Sequence, residues 1–334
     1  MDNRKTELQM APFQGITTTV FRKIYTKHFS GIDKLFTPFF TSIQKQELNK
    51  ARAAELSEVR VNGIPLVPQI LSNDAEEILR FADYVKRLGF DEVNWNLGCP
   101  FPRVANKKRG SGLLPYLEMV RKILDEVMPE IPVRFSVKAR LGYDDPGDIF
   151  RLITVFNDYP LSELTIHARL GKQLYKGEAD LEMFGKVVGL TKIPLGYNGD
   201  IFTLEDFKMF VERFPDVRLI MLGRGLLVDP FLPAWLKGSP VPAPEDQKEK
   251  VEKFVTDLYL AYRKKFNESL TSLNVMKEYW WYLAHSFENP HKVFRLVKKT
   301  RTFDEFETAV KMVFEGFSWW GQQADLFRRS RISK

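Results

Sequence analysis

"IPLGYNGDIFTLEDFKMFVERFPDVRLIMLGRG" (residues 193–225) reads as one complete strand–helix–strand unit. Its outer runs, "IPLGYNG" (193–199) and "VRLIMLGRG" (217–225), are apolar and end in glycine. The segment between them is amphipathic. Thr203 stands where a helix cap belongs, and Phe207, Phe210, Val211 and Phe214 recur at helical spacing. Pro215 then stops the helix. Two apolar strands joined by a crossover helix build a parallel sheet.

The same unit recurs upstream. Apolar runs stand at "ELQMAP" (7–12), "KLFTPFF" (34–40), "PLVPQIL" (65–71), "EVNWNLG" (92–98), "VRFSVKAR" (133–140) and "ELTIHAR" (163–169). Amphipathic segments lie between most of them. In "SNDAEEILRFADYVKRLGF" (72–90), Asn73 and Glu76 form the expected capping box, and Gly89 suits the C′ position. Eight strands alternating with helices predict an α/β fold, a (β/α)8 TIM barrel. A doubly wound sheet is the rival but needs fewer units. The proline-rich "KGSPVPAPED" (237–246) reads as a linker. From about Gln247 to Gly321 the chain reads as helical, with aromatic stripes in "LNVMKEYWWYLAHSF" (273–287) and "TFDEFETAVKMVFEGFSWW" (302–320). The expected division is a barrel over residues 1–238 and a small helical bundle over residues 247–334.

Bulk properties narrow the function. The 334 residues are 44% hydrophobic and 28% charged, enough for a large core without staples. One cysteine and four histidines argue against an internal disulfide, a cysteine-cluster metal site or zinc. The first ten residues hold no apolar leader, and "LIMLGRGLLV" (219–228) is broken by Arg224, so a cytoplasmic protein without a membrane span is expected. The formal charge of +7 is compatible with a polyanionic partner.

A TIM barrel carries its active site at the C-terminal ends of its strands. Those ends hold Ala11-Pro12, Gln69, Asn96 with Cys99, Lys138 with Arg140, His167 with Arg169, Asn198-Gly199-Asp200 and Gly223-Arg224-Gly225. Packing does not explain such a polar ring, because an unpaired polar group inside an apolar run is penalised. "NGD" and "GRG" supply glycines that bring backbone N–H groups close to a phosphate, and Arg224 adds charge. The same glycines also fit two ordinary turns. The rest of the ring suits a flavin. Lys138 would hold positive charge near the reduced ring, and Gln69 offers an amide to its polar edge. His167 is ambiguous between a satisfied structural residue and a site residue.

Taken in order, these residues resemble the tRNA-dihydrouridine synthases. "MAPFQGIT" (10–17) is similar to that family's "APMxGxT", and "NLGCP" (96–100) matches its "N-x-G-C-P". "SVKARLG" (136–142) looks like its lysine strand, and "IHARLGKQLYKGEAD" (166–180) is similar to "HxRxxxQxYxGxAD". "YNGD" and "LGRG" match its phosphate ends. The resemblance implies FMN held by Ala11, Pro12, Phe13, Gln69, Lys138, His167, Asn198, Gly199, Asp200, Gly223 and Arg224. It implies NADPH (or NADH) as reductant, hydride transfer to C6 of a tRNA uracil, Cys99 as the acid that protonates C5, and Asn96 as a uracil-positioning residue. The chain departs from the family at Thr18, where an acidic residue is usual, at Leu181, usually aromatic, and at "KKRGSGLL" (107–114), usually glycine-rich.

A thiol suits proton delivery to carbon at neutral pH, because a free cysteine is mostly protonated there. It does so only if Lys138 and Arg140 face away from the sulfur. Backbone contacts to tRNA are expected from "ANKKRGSG" (105–112), with Lys107, Lys108 and Arg109 and with Gly110 and Gly112 as hinges. "YRKKF" (262–266) and "HKVFRLVKKTR" (291–301) are further candidates. In the last, Lys292, Arg295, Lys298, Lys299 and Arg301 fall on one helical side while Val293, Phe294, Leu296 and Val297 face elsewhere. Arg140 and Arg169 are further substrate-binding candidates. The rival functions are an FMN barrel acting on a small molecule and a non-catalytic RNA-binding relative. "SVKARLGYD" (136–144) looks closest to the bacterial branch that modifies position 16 of the D-loop, and the family implies a monomer without protein partners.

Overall fold

Pro68 breaks the third apolar run into two short strands, and the closure of the sheet turns on that break. The computed structural model describes residues 6–44 and 48–321. Ten strands are present among them: β1 (Glu7–Met10), β2 (Lys34–Phe36), β3 (Arg60–Val61), β4 (Ile64–Val67), β5 (Gln69–Ile70), β6 (Glu92–Leu97), β7 (Arg134–Gly142), β8 (Leu164–Leu170), β9 (Leu195–Asn198) and β10 (Leu219–Leu222). They run in the spatial order β3-β4-β2-β1-β10-β9-β8-β7-β6-β5. Since β4 and β5 are separated only by Pro68, the two sides of this row are joined by the chain itself. The first half pairs with β2 and the second with β6, both in parallel. Proline has no N–H to donate, but the Pro68 carbonyl accepts from Asn94 N–H at 2.9 Å and bridges the gap.

Every pairing around the barrel is parallel. The expected eight strands thus become ten for two physical reasons. One is the proline break. The other is an antiparallel hairpin of β3 with β4, turned by Asn62 and Gly63, both at positive φ. Asn-Gly is the favoured pair for such a turn.

The helices between the strands follow the expected stripes. Thr203 caps Leu204–Arg213 in a full capping box with Asp206. The helix Ala75–Arg87 is capped by Asp74, one residue later than expected, through its carboxylate and the Glu77 N–H. Asn73 is thereby freed to pair with the loop beyond Cys99. Gly89 follows that helix at φ +91°.

The proline-rich stretch stays non-helical through Ala243. The first C-terminal helix, Pro244–Lys265, begins three residues before the expected boundary. Thr271–Leu283, Pro290–Lys298 and Phe303–Gly316 come after it. Residues 322–334 of the expected bundle lie outside the described residues. The C-terminal helices share one apolar core with the barrel. Phe254 is the hub: its ring lies 5.0–6.3 Å from the rings of Phe21, Tyr25, His28, Phe29 and Tyr279.

At Thr18, the carboxylate that the residue itself does not supply comes from Glu55. Glu55 Oε2 accepts from Thr19 N–H at 2.7 Å, at the start of the helix Thr19–His28, and sits 3.2 Å from buried Arg22. Thr18 Oγ1 instead meets Tyr262 Oη at 3.1 Å. Truncating the hub removes a fully buried aromatic ring, a loss of about 3–5 kcal/mol. Phe254→Ala is therefore expected to lower the unfolding free energy by that amount, read from chemical denaturation.

Candidate active site

The polar strand ends converge on a cavity of about 280 Å³ at the C-terminal mouth of the barrel. Ala11, Pro12, Phe13, Asn96, Cys99, Lys138, Arg140, His167, Arg169, Asn198, Gly199, Asp200, Gly223 and Arg224 all line it. Gln69 does not. It is fully buried one layer below, donating to Asn94 at 2.8 Å and accepting from Asn96 at 2.7 Å.

Cys99 sits on a turn held by a side chain. Asn96 Oδ1 accepts from the N–H groups of both Gly98 and Cys99, each at 2.9 Å. This makes Asn96 a shaper of the cysteine turn, a role that an assignment to uracil does not foresee. On the far side, the Cys99 carbonyl accepts from Ser111 N–H at 3.0 Å and from Ser111 Oγ at 3.1 Å. Gly110 holds φ +55°, and a Cβ there would lie 2.6 Å from the Cys99 carbonyl oxygen. A Cβ on Gly112 would lie 2.2 Å from the Ala105 carbonyl oxygen. The two glycines expected to be hinges are buried packing positions.

Arg109 also turns inward. Its guanidinium donates to Asn73 Oδ1 at 2.9 Å and to Thr41 Oγ1 at 3.2 Å, and it lies 3.6 Å from Glu77. Asn73 Nδ2 donates in turn to the Lys107 carbonyl at 3.2 Å. Arg109 therefore braces the cysteine loop, while Lys107 and Lys108 are exposed.

The cations are organised by their partners. Lys138 Nζ donates to Asn198 Oδ1 at 2.9 Å. Arg140 donates to the Gly98, Leu170 and Leu174 carbonyls at 2.7–2.9 Å. Asp200 pairs with both Arg169 and Arg224. That carboxylate orients the two guanidiniums, so its own contact is with them and not with an anion. Arg169 Nη1 donates to His167 Nε2 at 3.3 Å, which fixes the His167 proton on Nδ1.

Burial, then Arg140, pushes Lys138 down to about 7. Burial pushes Arg140 down to about 10 despite Tyr175. Burial and the four surrounding cations hold His167 well below its ordinary range, hence neutral. So much buried positive charge is a seat for an anion. Arg169 Nε is also buried with no hydrogen-bond partner. The donor set fits a flavin phosphate and an electron-rich ring, whose charge Lys138, Arg169 and Arg224 would hold.

At the ends of β9 and β10 the glycines divide. A Cβ on Gly199 would lie 1.9 Å from Tyr197 Oη, so Tyr197 requires that glycine. A Cβ on Gly225 would lie 2.1 Å from the Ile201 carbonyl oxygen. Gly223 lies on the cavity wall, where a Cβ would make only ordinary contact with Phe13, at 3.4 Å.

Several lining residues escape the sequence reading. Glu278, Trp281 and Tyr282 of the helix Thr271–Leu283 roof the cavity. The aromatic stripe reads as core, and Tyr279, Trp280 and Leu283 are indeed buried. The opposite face, at i, i+3 and i+4, is the missed signal. Tyr175 stands between Arg140 and Arg224, its ring 5.5 and 5.3 Å from their guanidinium carbons.

A second, open cleft of about 650 Å³ adjoins the roof. It is lined by Lys277, Trp281, Phe294, Arg295, Lys298, Lys299, Thr300 and Arg301. Trp281 lines both cavities. As expected, Val293 and Val297 face the core. Phe294 does not face away: it floors the cleft, with Lys298 Nζ 5.7 Å from its ring centre. Lys292 lies instead over Phe317. The charge of "YRKKF" is largely compensated, because Arg263 pairs with Glu268 and Glu307, and Lys265 lies 3.4 Å from Glu55.

The Cys99 thiol is pushed up by burial, against the opposing Phe101 N–H, Arg140, Arg103 and Lys138. Arg140 and Lys138 are hydrogen-bonded to other groups, and their charges, which favour the thiolate, do not outweigh burial. Alkylation proceeds through the thiolate. The iodoacetamide rate at this single cysteine is expected to rise with pH around a midpoint above the free-cysteine value of about 8.5. A midpoint below that value would remove the basis for a protonated thiol.

Among solved structures, morphinone reductase is similar, with a TM-score of 0.50 and 13% identity, covering 73% of this chain and 90% of that one. At that identity the likeness concerns the barrel fold. The tRNA-dihydrouridine synthase B of Pasteurella multocida is 31% identical over 232 residues, covering 68% of each chain. A tRNA-dihydrouridine(16) synthase of Neisseria meningitidis is 26% identical over 316 residues, covering 90% of this chain and 93% of the relative. Its counterpart from Vibrio parahaemolyticus is 28% identical over 317 residues, covering 91% and 94%. The family model described as dihydrouridine synthase matches residues 9–315, and the chain belongs to that family.

Proposed function

We propose that this protein reduces the C5=C6 bond of a uridine in the tRNA D-loop, at position 16, using FMN and NADPH. The observation that carries the reading is Cys99: a thiol kept protonated by burial, on a braced turn, at the mouth of a cation-lined cavity. When bound, the reduced flavin supplies the hydride that goes to uracil C6. Cys99 Sγ delivers the proton to C5, so the double bond becomes a single bond with one hydrogen added at each carbon. The resulting thiolate is stabilised by Arg140, Arg103 and Lys138, whose charges favour the deprotonated form. Lys138, Arg169 and Arg224 would hold the cofactor's negative charge, and neutral His167 would add an Nδ1–H donor.

Support for position 16 comes from relatives named for that position, two of which align over 90% and 91% of this chain. Others named for it align over 68–72%, as the B-type relative does. The proposed division of labour places the cofactor and chemistry in residues 1–238 and tRNA contact mainly in residues 247–334. A uracil must leave its stack to enter the cavity. Trp281 and Phe294 offer aromatic faces along the way, and Arg295, Lys298, Lys299 and Arg301 offer charge to the phosphates.

Two variants and one mapping measurement test this. Cys99→Ala is expected to bind flavin normally while losing dihydrouridine formation by about 10²–10⁴-fold, the range for a general acid. Full turnover in that variant would refute the acid role. Mass-spectrometric mapping of the RNA made by the unaltered enzyme reads the modified position directly. The double change Lys298→Glu with Lys299→Glu is expected to weaken tRNA binding and to lower the salt slope by about 2, roughly one per phosphate contact. An unchanged slope would exclude that cleft as the contact surface.

A further inference from the structure

The interior of the barrel holds a row of polar side chains that the proposed reaction does not use directly. Glu92, Asn94 and Asn96 alternate along β6 and are all buried. With side chains alternating across a strand, the three share the inner face, while Val93, Trp95 and Leu97 share the other. Interior polar groups at this depth are costly unless hydrogen-bonded. Here they form one unbroken relay. Ser136 Oγ donates to Glu92 Oε1 at 2.7 Å, and Asn94 Nδ2 donates to Ser136 Oγ at 3.0 Å. Gln69 Nε2 donates to Asn94 Oδ1 at 2.8 Å, and Asn96 Nδ2 donates to Gln69 Oε1 at 2.7 Å. The relay ends where Asn96 Oδ1 accepts the N–H groups of Gly98 and Cys99.

The direction of every link is set by its first member. A carboxylate only accepts, so Ser136 spends its single proton on Glu92. Ser136 Oγ must then accept from an Asn94 N–H, which turns Asn94 Oδ1 toward Gln69. Gln69 Oε1 is turned toward Asn96 in the same way, and Asn96 Oδ1 is left facing the cysteine turn. An Asn96 amide turned the other way would place its NH₂ against two backbone N–H groups and release the turn. Glu92 is itself fixed by Arg134, 3.2 Å from its other oxygen.

We propose that Glu92 and Ser136 are positioning residues for Cys99, setting from the barrel interior the orientation of the amides that hold its turn. The inference rests on the reading of Cys99 as the acid, but its first readout requires no tRNA. Cys99 is the only cysteine in the chain, so alkylation by iodoacetamide reports on its turn alone.

The test uses flavin-loaded Ser136→Ala, which breaks the relay, and Ser136→Thr, which keeps a hydroxyl. In Ser136→Ala, Cys99 is expected to alkylate several-fold faster at fixed pH. The turnover number on tRNA is expected to fall about tenfold or more at unchanged KM, as for a displaced reacting group. Ser136→Thr is expected to restore both. If Ser136→Ala does not fold, Glu92→Gln carries the same readouts, because a glutamine can donate as well as accept and so lets the relay reverse. Wild-type alkylation in either folded variant overturns the proposal, whether or not turnover changes. Faster alkylation in an enzyme whose Cys99→Ala form still makes dihydrouridine would keep the positioning role and overturn only the acid role.

Discussion

A single carboxamide oxygen, Asn96 Oδ1, accepts two consecutive backbone N–H groups and thereby decides where the Cys99 sulfur stands. Much of the site depends on that constraint. The strand β6 can end abruptly because its next donors are satisfied by a side chain instead of a neighbouring strand. The carbonyl of the same cysteine is satisfied from the other side by Ser111. That contact requires glycine at 110, where any side chain would collide with Cys99 itself. The loop beyond the cysteine is then tied down by Arg109 through Asn73 and Thr41. A sulfur held by backbone and buried side chains would lose little freedom on substrate binding, as the proposed proton transfer requires.

The electrostatics of the cavity are a balance between burial and pairing. Four cationic side chains enter one small space, and the two most deeply placed on β7 are satisfied by neutral oxygens. Neutral acceptors keep a cation in place without cancelling its charge. Asp200 cancels part of the charge at the other side, between Arg169 and Arg224. Among the described residues, the charge is therefore paired by a carboxylate only on the Arg169 and Arg224 side of the cavity. The same burial acts in opposite senses on two groups. It favours the neutral form of Lys138 and the neutral form of Cys99, so an anionic cofactor would recharge the lysine while the thiol keeps its proton.

The barrel and the strand-end residues are legible because strand periodicity and position at a strand end are local properties. Lys138, His167 and Asn198 stand at the cavity as their runs predict. The failures share a cause as well. Gln69 reads as a ligand residue by type but lies one layer below the cavity that Asn96 lines, and layer depth is a matter of register. Register at that point is set by Pro68, which pairs Gln69 with Asn94 across β5 and β6. Arg109 reads as basic in sequence, yet its partners Thr41, Asn73 and Glu77 lie 32 or more residues away and become visible only when the chain is folded. The glycines at 110 and 112 look permissive in sequence and prove to be excluded volume.

The helical unit is the part whose meaning changes most. An aromatic stripe on a helix is usually core, and Met276, Tyr279, Trp280 and Leu283 obey that rule. Thr271–Leu283 has a second face, and its Glu278, Trp281 and Tyr282 close the barrel mouth from above. Tyr282 rests edge-on against Phe13, whose own loop forms the opposite lip. The cavity is therefore built by both parts of the chain, and the Phe254 hub that joins them stabilises the fold and the site together. Trp281 links this cavity to the basic cleft. Under the proposed function, a strand in the cleft would meet Arg295, Lys298 and Lys299, and a base passing Trp281 would enter the cavity beneath that roof. Because Trp281 lines both the cavity and the basic cleft, the proposed function makes substrate selection depend on the C-terminal helices as much as on the barrel.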